Sequence, residues 1–230
     1  MRAPWILLLG LLFLHGLSHV PPLAPGVAHA AVGFGSVLLG YDGGPGGSLE
    51  ATLTGLVPSA PLSVRLGLGR SSRPAGNGAE ARRIFINNAT NGTIEKSGWT
   101  WVTRFDVVHP IGRFASGDLT AFAGPRHSRY TARFRYVGGN EEFDVTSHQW
   151  GWGGGLETKL AMGGRTALLL RGGVDYFLEA PLHGHDTRYD PGGEDVNPRE
   201  DYGYGDADRA VEQPRLLGRV MAGIRVRLGS

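Results

Sequence analysis

Hydrophobic and polar residues alternate along most of this chain with a period of two. In the last stretch, one set of alternate positions holds Leu216, Gly218, Val220, Ala222, Ile224, Val226 and Leu228. The other holds Leu217, Arg219, Met221, Gly223, Arg225 and Arg227. Successive side chains of a strand point to opposite faces, so this pattern predicts a strand with one apolar and one polar side. Seven further strands are expected at residues 31–41, 49–57, 62–70, 98–108, 118–137, 142–160 and 166–180. No helical periodicity is long enough to support a helix.

The connections sort by length. Those after the second, fourth and sixth stretches are short, and those after the third (71–97) and seventh (181–214) are long and polar. The fifth and sixth form one long hairpin with its tip at Gly138 and Gly139, its outer half dense with charge: Arg129, Arg133, Arg135, Glu141, Glu142 and Asp144. Short turns at one end and long loops at the other are the habit of a barrel that spans a membrane, whereas a soluble sandwich has no reason to sort its loops by end.

If the apolar face meets lipid, the other face lines the lumen. The inner face then carries Glu50, Arg65, Arg104, Asp106, Asp118, Arg126, Glu157, Lys159, Arg171, Asp175, Glu179, Arg219, Arg225 and Arg227. Mixed signs in a narrow lumen must pair, because an unpaired buried charge costs several kcal/mol. An eight-stranded barrel is just wide enough for side chains to fill, so a plugged interior is expected rather than an open pore. Trp99, Trp101, Trp150 and Trp152 fall at one inferred height near the outer strand ends, where an interfacial aromatic girdle belongs.

Composition narrows the setting. Arg2, an apolar run over residues 5–17 and Ala28-His29-Ala30 read as a secretory signal cleaved after Ala30, leaving residues 31–230 as one barrel domain. There is no cysteine, so disulfides and thiolate metal sites are excluded. The net charge of +2 gives no reason to expect a nucleic-acid partner. The 38 glycines are spread among apolar residues rather than gathered into a linker, as suits a curved sheet.

Together these features resemble the small outer-membrane β-barrel family, the OmpA-like, OmpX-like and opacity-type proteins. The resemblance implies an all-β, eight-stranded antiparallel up-and-down transmembrane barrel in a Gram-negative-type outer membrane. It also implies a monomer inserted by the barrel assembly machinery, with membrane lipid and lipopolysaccharide as surroundings. Members usually end in an aromatic residue, and this chain departs from that with Arg227-Leu228-Gly229-Ser230.

Candidate chemistry is sparse. The segment from His183 to Asp208 is rich in carboxylates that could hold calcium, and His183 with His185 could ligate a transition metal, but the spacing matches no EF-hand or repeat calcium motif, so a solvated loop is expected. Adjacent His127 and Ser128 point to opposite faces of a strand and cannot form a nucleophile–base pair; His109, His127 and His148 are the only bases an enzymatic reading could use. No cofactor is expected. The sequons at Asn88 and Asn91 read as polar loop. The expected role is non-catalytic, either supporting the envelope or offering loops for surface contact. A soluble lipocalin-like barrel, with apolar residues inward, and a lipid A-modifying enzyme are the alternatives.

Overall fold

The computed structural model describes residues 32–57 and 60–228. The expected signal segment lies outside them. Eight long antiparallel strands form the wall: β1 (Val32–Asp42), β2 (Pro45–Thr54), β3 (Ser63–Arg73), β4 (Thr93–Phe114), β5 (Gly117–Val137), β6 (Glu141–Gly163), β7 (Thr166–Phe177) and, after two short strands, β10 (Leu216–Leu228). Neighbours pair in sequence order, and β10 pairs with β1, which closes the barrel.

The register fixes the slant of the wall. A row of cross-strand partners that starts at Val32 passes through Thr54, Ser63, Val108, Phe122, Gly155, Gly173 and Arg219, and returns to β1 at Asp42, ten residues further on. Ten residues of rise set against eight inter-strand spacings tilt the strands by about 40° from the barrel axis, within the range usual for barrels. Any such row therefore climbs toward the end where β1 finishes, in the direction β10 to β1 to β2 and onward.

At that upper end the chain builds a cap where the sequence suggested open loops. The segment 71–97 is not one polar loop. β3 continues to Arg73, a short helix α1 (Gly78–Phe85) follows, and β4 begins at Thr93. The acidic segment 181–214 folds into β8 (Leu182–Gly184), β9 (Thr187–Tyr189) and helix α2 (Tyr204–Val211), with β8 pairing onto β6 at Val145 and Thr146. Two-turn helices are too short to show a periodicity of their own, so packing decides them. At the lower end β4 does not stop at residue 108 as expected but runs on to Phe114, with a bulge between Pro110 and Gly112.

The polarity is inside out. Leu39, Leu49, Leu66, Phe105, Leu156, Val174, Val220 and Leu228 are exposed on the outer wall, while Arg65, Arg104, Arg126 and Arg171 are buried within it. On β4 the outward positions from Trp101 to Ile111 are mostly apolar, with Trp101, Phe105, Val107 and Ile111 interrupted by Thr103 and His109. Ten residues at about 3.3 Å each, tilted by about 40°, give a belt about 25 Å tall, the height of the apolar band of outer-membrane barrels.

Above the belt the phase reverses. Tyr130, Ala132, Phe134 and Tyr136 of β5 and Phe143 and Val145 of β6 point inward, buried against Ala81, Ile84 and Phe85 of α1, Leu182, Tyr189, and Ala207, Ala210 and Val211 of α2. This is the main hydrophobic core, and it sits in the cap.

Candidate functional site

The barrel interior holds one connected ion-pair network. Asp42 pairs with Arg104 at 2.6 Å and Arg104 with Asp175 at 3.1 Å. Asp175 holds Arg126 at 2.8 Å, and Arg126 reaches Asp106 at 2.7 Å. Asp106 pairs with Arg65 at 3.1 Å, and Arg65 with Glu157 at 2.8 Å. Glu157 also takes Arg225 at 2.8 Å, and Arg171 bridges Glu157 to Glu50. Arg219 lies 3.8 Å from Asp175 and stacks over the Phe122 ring, which Arg65 and Arg171 also approach. Alternating signs let Arg65, Arg104, Arg126, Arg171 and Arg225 each pair closely with a carboxylate, which offsets the cost of removing both from water, while Arg219 has only the longer Asp175 contact and the Phe122 ring.

Glycines on the facing wall make room for these long side chains. A Cβ at Gly153 would collide with the Asp175 carboxylate and crowd Arg126, and one at Gly155 would collide first with the Gly172 carbonyl and Gly173 Cα of β7 and then with the Phe122 ring. Two apolar layers accompany the network. Leu38, Leu169 and Met221 form one, and Val102, Phe177 and Leu217 the other.

The remaining residues expected on the inner face lie elsewhere. Asp118 and Lys159 pair with each other at 2.8 Å, half-exposed at the lower mouth. Glu179 stands beyond the end of β7 and meets Arg215 at 3.1 Å, and Arg227 is exposed. These three places are strand ends, where alternation no longer encloses a side chain. Asp42 is an addition to the expected set, because the sequence pattern of β1 stops at Tyr41. The one-residue continuation of β1 turns its carboxylate inward.

The four tryptophans all lie on the outer face, but not in a single cross-strand row. Trp101 is opposite Arg129, which is opposite His148, so Trp150 lies two and Trp152 four residues below that row, and Trp99 two above it. The climb of the rows offsets this for Trp101 and Trp150, which come to nearly one height; Trp99 and Trp152 lie roughly 5 Å above and below, from the strand rise and tilt.

The cap is braced by polar contacts to the strands. The Tyr130 hydroxyl reaches the carbonyls of Pro74 at 3.0 Å and Val211 at 2.5 Å, and the Tyr136 hydroxyl donates to the Gly78 carbonyl at 2.6 Å. Gln213 donates to Ser147 Oγ at 2.5 Å and to the Ala180 carbonyl at 2.9 Å. Asn77 caps α1, accepting from Ala79 N at 3.1 Å. Arg82 clasps Glu141 at 2.7 Å, donates to Asn91, and stacks over Tyr136. Burial acts to raise the Glu141 pKa, but hydrogen bonds from Asn87 and Arg82 and the Arg82 charge outweigh it and hold the carboxyl below its usual range. Burial pushes the hydroxyls of Tyr136 and Tyr204 up to about 12.

Chemistry-bearing constellations are few. Among the described residues no group of three or more His, Asp or Glu is placed to hold a metal ion. His127 stands on the outer wall against Trp150 and His148, while Ser128 is buried on the inner side of the same strand.

No family model matches the chain, and no curated protein matches it. Among solved structures, a major outer membrane protein from Thermus thermophilus shares 23% identity over 87% of this chain and 100% of that one, with a TM-score of 0.71. Neisserial surface protein A covers 88% of this chain at 11% identity with a TM-score of 0.39, too low to inform the fold. The chain thus has the closed eight-stranded antiparallel fold found in outer-membrane barrel proteins.

Proposed function

We propose that this chain is an integral outer-membrane β-barrel with a closed lumen and a non-catalytic role, holding a rigid folded cap at the cell surface for structural support or surface contact. One observation carries the reading: the same strands expose leucine, valine and tryptophan outward and bury six arginines and five carboxylates inward. Water outside would penalise that arrangement, and lipid outside favours it. A lipocalin-like barrel needs the opposite polarity. A serine hydrolase needs a serine, a histidine and a carboxylate in mutual reach, and His127 and Ser128 face opposite sides of the wall.

Two features support a closed lumen. The ion pairs cross-link β1, β2, β3, β4, β5, β6, β7 and β10 through the middle of the barrel, and the cap core packs over the upper mouth. The test is to express the full chain, wash membranes with carbonate, and compare unboiled with boiled mobility on an SDS gel, followed by conductance in planar bilayers. A folded band that shifts on boiling, without stable channels, is the expected result. A protein released by carbonate with a single mobility refutes the membrane reading, and steady single-channel conductance refutes the closed lumen.

A further inference from the structure

The outer wall is not uniform. Across β10, β1, β2, β3 and β4 lies a shallow, open apolar groove of about 750 Å³. Its floor is low where Gly35 and Ala51 sit side by side, and Ile224, Val37, Leu49 and Leu68 stand along it as successive partners of one cross-strand row. The groove crosses four strand spacings, about 19 Å, the reach of a membrane acyl chain. Because rows climb from β10 toward β4, its high end is at Leu68 and Thr103, close under the rim of the belt.

One outward step above that end the character changes. Arg70, Trp101 and Arg129 are consecutive partners on β3, β4 and β5, so an indole stands between two exposed arginines. The Arg70 guanidinium lies over the rings of Trp101 and Trp99, at 5.6 Å and 5.9 Å from their centroids. Neither Arg70 nor Arg129 takes part in an ion pair among the described residues, whereas Arg133 and Arg135 higher on β5 are paired with Asp144 and Glu95. Two uncompensated cations stand at the aromatic level, beside the high end of a chain-sized groove, and nothing comparable lies on β7 or β10 among the described residues, whose outward positions Leu178 and Leu216 are apolar to the strand ends.

We infer that this groove is a binding site for one anionic phospholipid, its acyl chain lying along the β10–β4 groove and its phosphate between Arg70 and Arg129. The inference rests on the reading that this wall faces lipid. A phosphate accepts from guanidinium donors in a charge-assisted geometry, and the flanking indoles hold the Arg70 side chain at interface height. A zwitterionic headgroup brings its own cation to the same place and gains less.

The test uses the full chain folded in detergent and first shown to be heat-modifiable. Native mass spectrometry then compares retention of phosphatidylglycerol and phosphatidylcholine with identical acyl chains, with inorganic phosphate as competitor. The expected result is one tightly held phosphatidylglycerol per barrel, preferred roughly thirtyfold for two interfacial arginines. Arg70→Gln with Arg129→Gln should abolish the preference, Ala51→Phe should fill the groove and release the lipid, and millimolar phosphate should not displace it. All variants are on the exposed wall and are checked for unboiled mobility. Equal retention of the two lipids, an undiminished preference in the double arginine variant, or displacement by phosphate alone would overturn the inference. A chain that never gives a heat-modifiable form fails at the earlier step and refutes the membrane reading itself.

Discussion

Glu157 is the most connected carboxylate in the barrel. Its side chain is fully buried and meets Arg65 at 2.8 Å, Arg225 at 2.8 Å and Arg171. Glu157→Gln keeps the shape and removes the charge, leaving six arginines against four carboxylates. Each opposite pair at about 4 Å is worth about 4 kcal/mol at an effective dielectric of 20. Three such attractions overstate the loss, because the Glu50 carboxylate repels Glu157 and desolvating the ion is no longer required. Breaking a buried ion pair by removing one partner costs about 3–5 kcal/mol, and that is the expected loss. It is read by urea unfolding in lipid vesicles, followed by tryptophan emission and by the unboiled band on SDS gels. A second substitution separates charge from packing. Arg225→Gln removes the least buried arginine of the cluster, and in the Glu157→Gln background it should restore at least about 1 kcal/mol rather than cost more, as coupled neighbours do. A loss below about 1 kcal/mol for Glu157→Gln, or strict additivity of the pair, would refute the claim that the network is held by charge balance.

Other outcomes follow from the same geometry. Leu156→Arg, on the exposed wall well inside the belt, should cost about 2–4 kcal/mol in vesicle unfolding, and Leu178→Arg at its upper edge only about 0–1 kcal/mol; equal costs would mean the wall does not face a lipid slab. Tyr130→Phe should loosen the cap by about 1 kcal/mol without altering the heat-modifiable band, seen as faster proteolysis within residues 182–211, since the lost hydroxyl ties β5 to the Pro74 and Val211 carbonyls. The Glu141 carboxyl, held below its usual range, contributes cap stability that is present above the unfolded value of 4.5 and is lost as pH falls through the lower folded value. Amide exchange of α1, corrected for intrinsic rates, should therefore rise in acid, and Glu141→Gln should abolish that rise. Tyr136 and Tyr204, raised to about 12 by burial, favour the folded cap below pH 10 and lose that contribution as pH climbs through 12; absorbance at 295 nm should show that the Tyr136→Phe and Tyr204→Phe variants each lose a step above pH 10.

The wall is legible in the sequence because each strand carries a period of two over ten or more residues, and parity alone then sorts Arg65, Arg104, Arg171 and Arg219 from Leu66, Phe105, Leu170 and Val220. Parity fails at strand ends, since it cannot tell whether a position is enclosed. Asp42 lies one residue past the expected end of β1, and Glu179 has inward parity although β7 stops at Phe177. The cap is not legible as a fold. α1 spans eight residues with Arg82 and Arg83 in its last turn, and α2 eight with Asp206, Asp208 and Arg209, so neither shows an apolar stripe long enough to stand out from a polar loop. One signal is present. In β5 the run Tyr130, Ala132, Phe134, Tyr136 alternates with Arg129, Arg133 and Arg135, so the apolar set there has the same parity as the charged Arg126 below. Large apolar residues at inward positions demand an internal partner, and the polar segments 71–97 and 181–214 are the stretches of chain free to supply one.

That phase reversal also bears on what the surface can do. Below the line of Trp101 and Trp150 the strands turn their apolar face to the outside and hold their charges within, and above it the same strands turn apolar side chains inward and charges out. A single sheet thus carries two opposite polarities, and on the proposed membrane reading the change of sign between them marks where lipid gives way to water. The consequence for the upper half is structural. Because β4, β5 and β6 run through without interruption, the cap core is built on the same strands that carry the ion pairs, and Tyr130 and Gln149 lie between the two layers, reaching the Val211 and Pro214 carbonyls at the far edge of the cap. Opening a path through the barrel would require parting buried ion pairs and a packed aromatic core together. On the proposed reading, a surface partner would meet the outer side of α1, α2 and the β8–β9 hairpin as a preformed relief and would lose little ordering entropy on binding it, as with other preorganised interfaces.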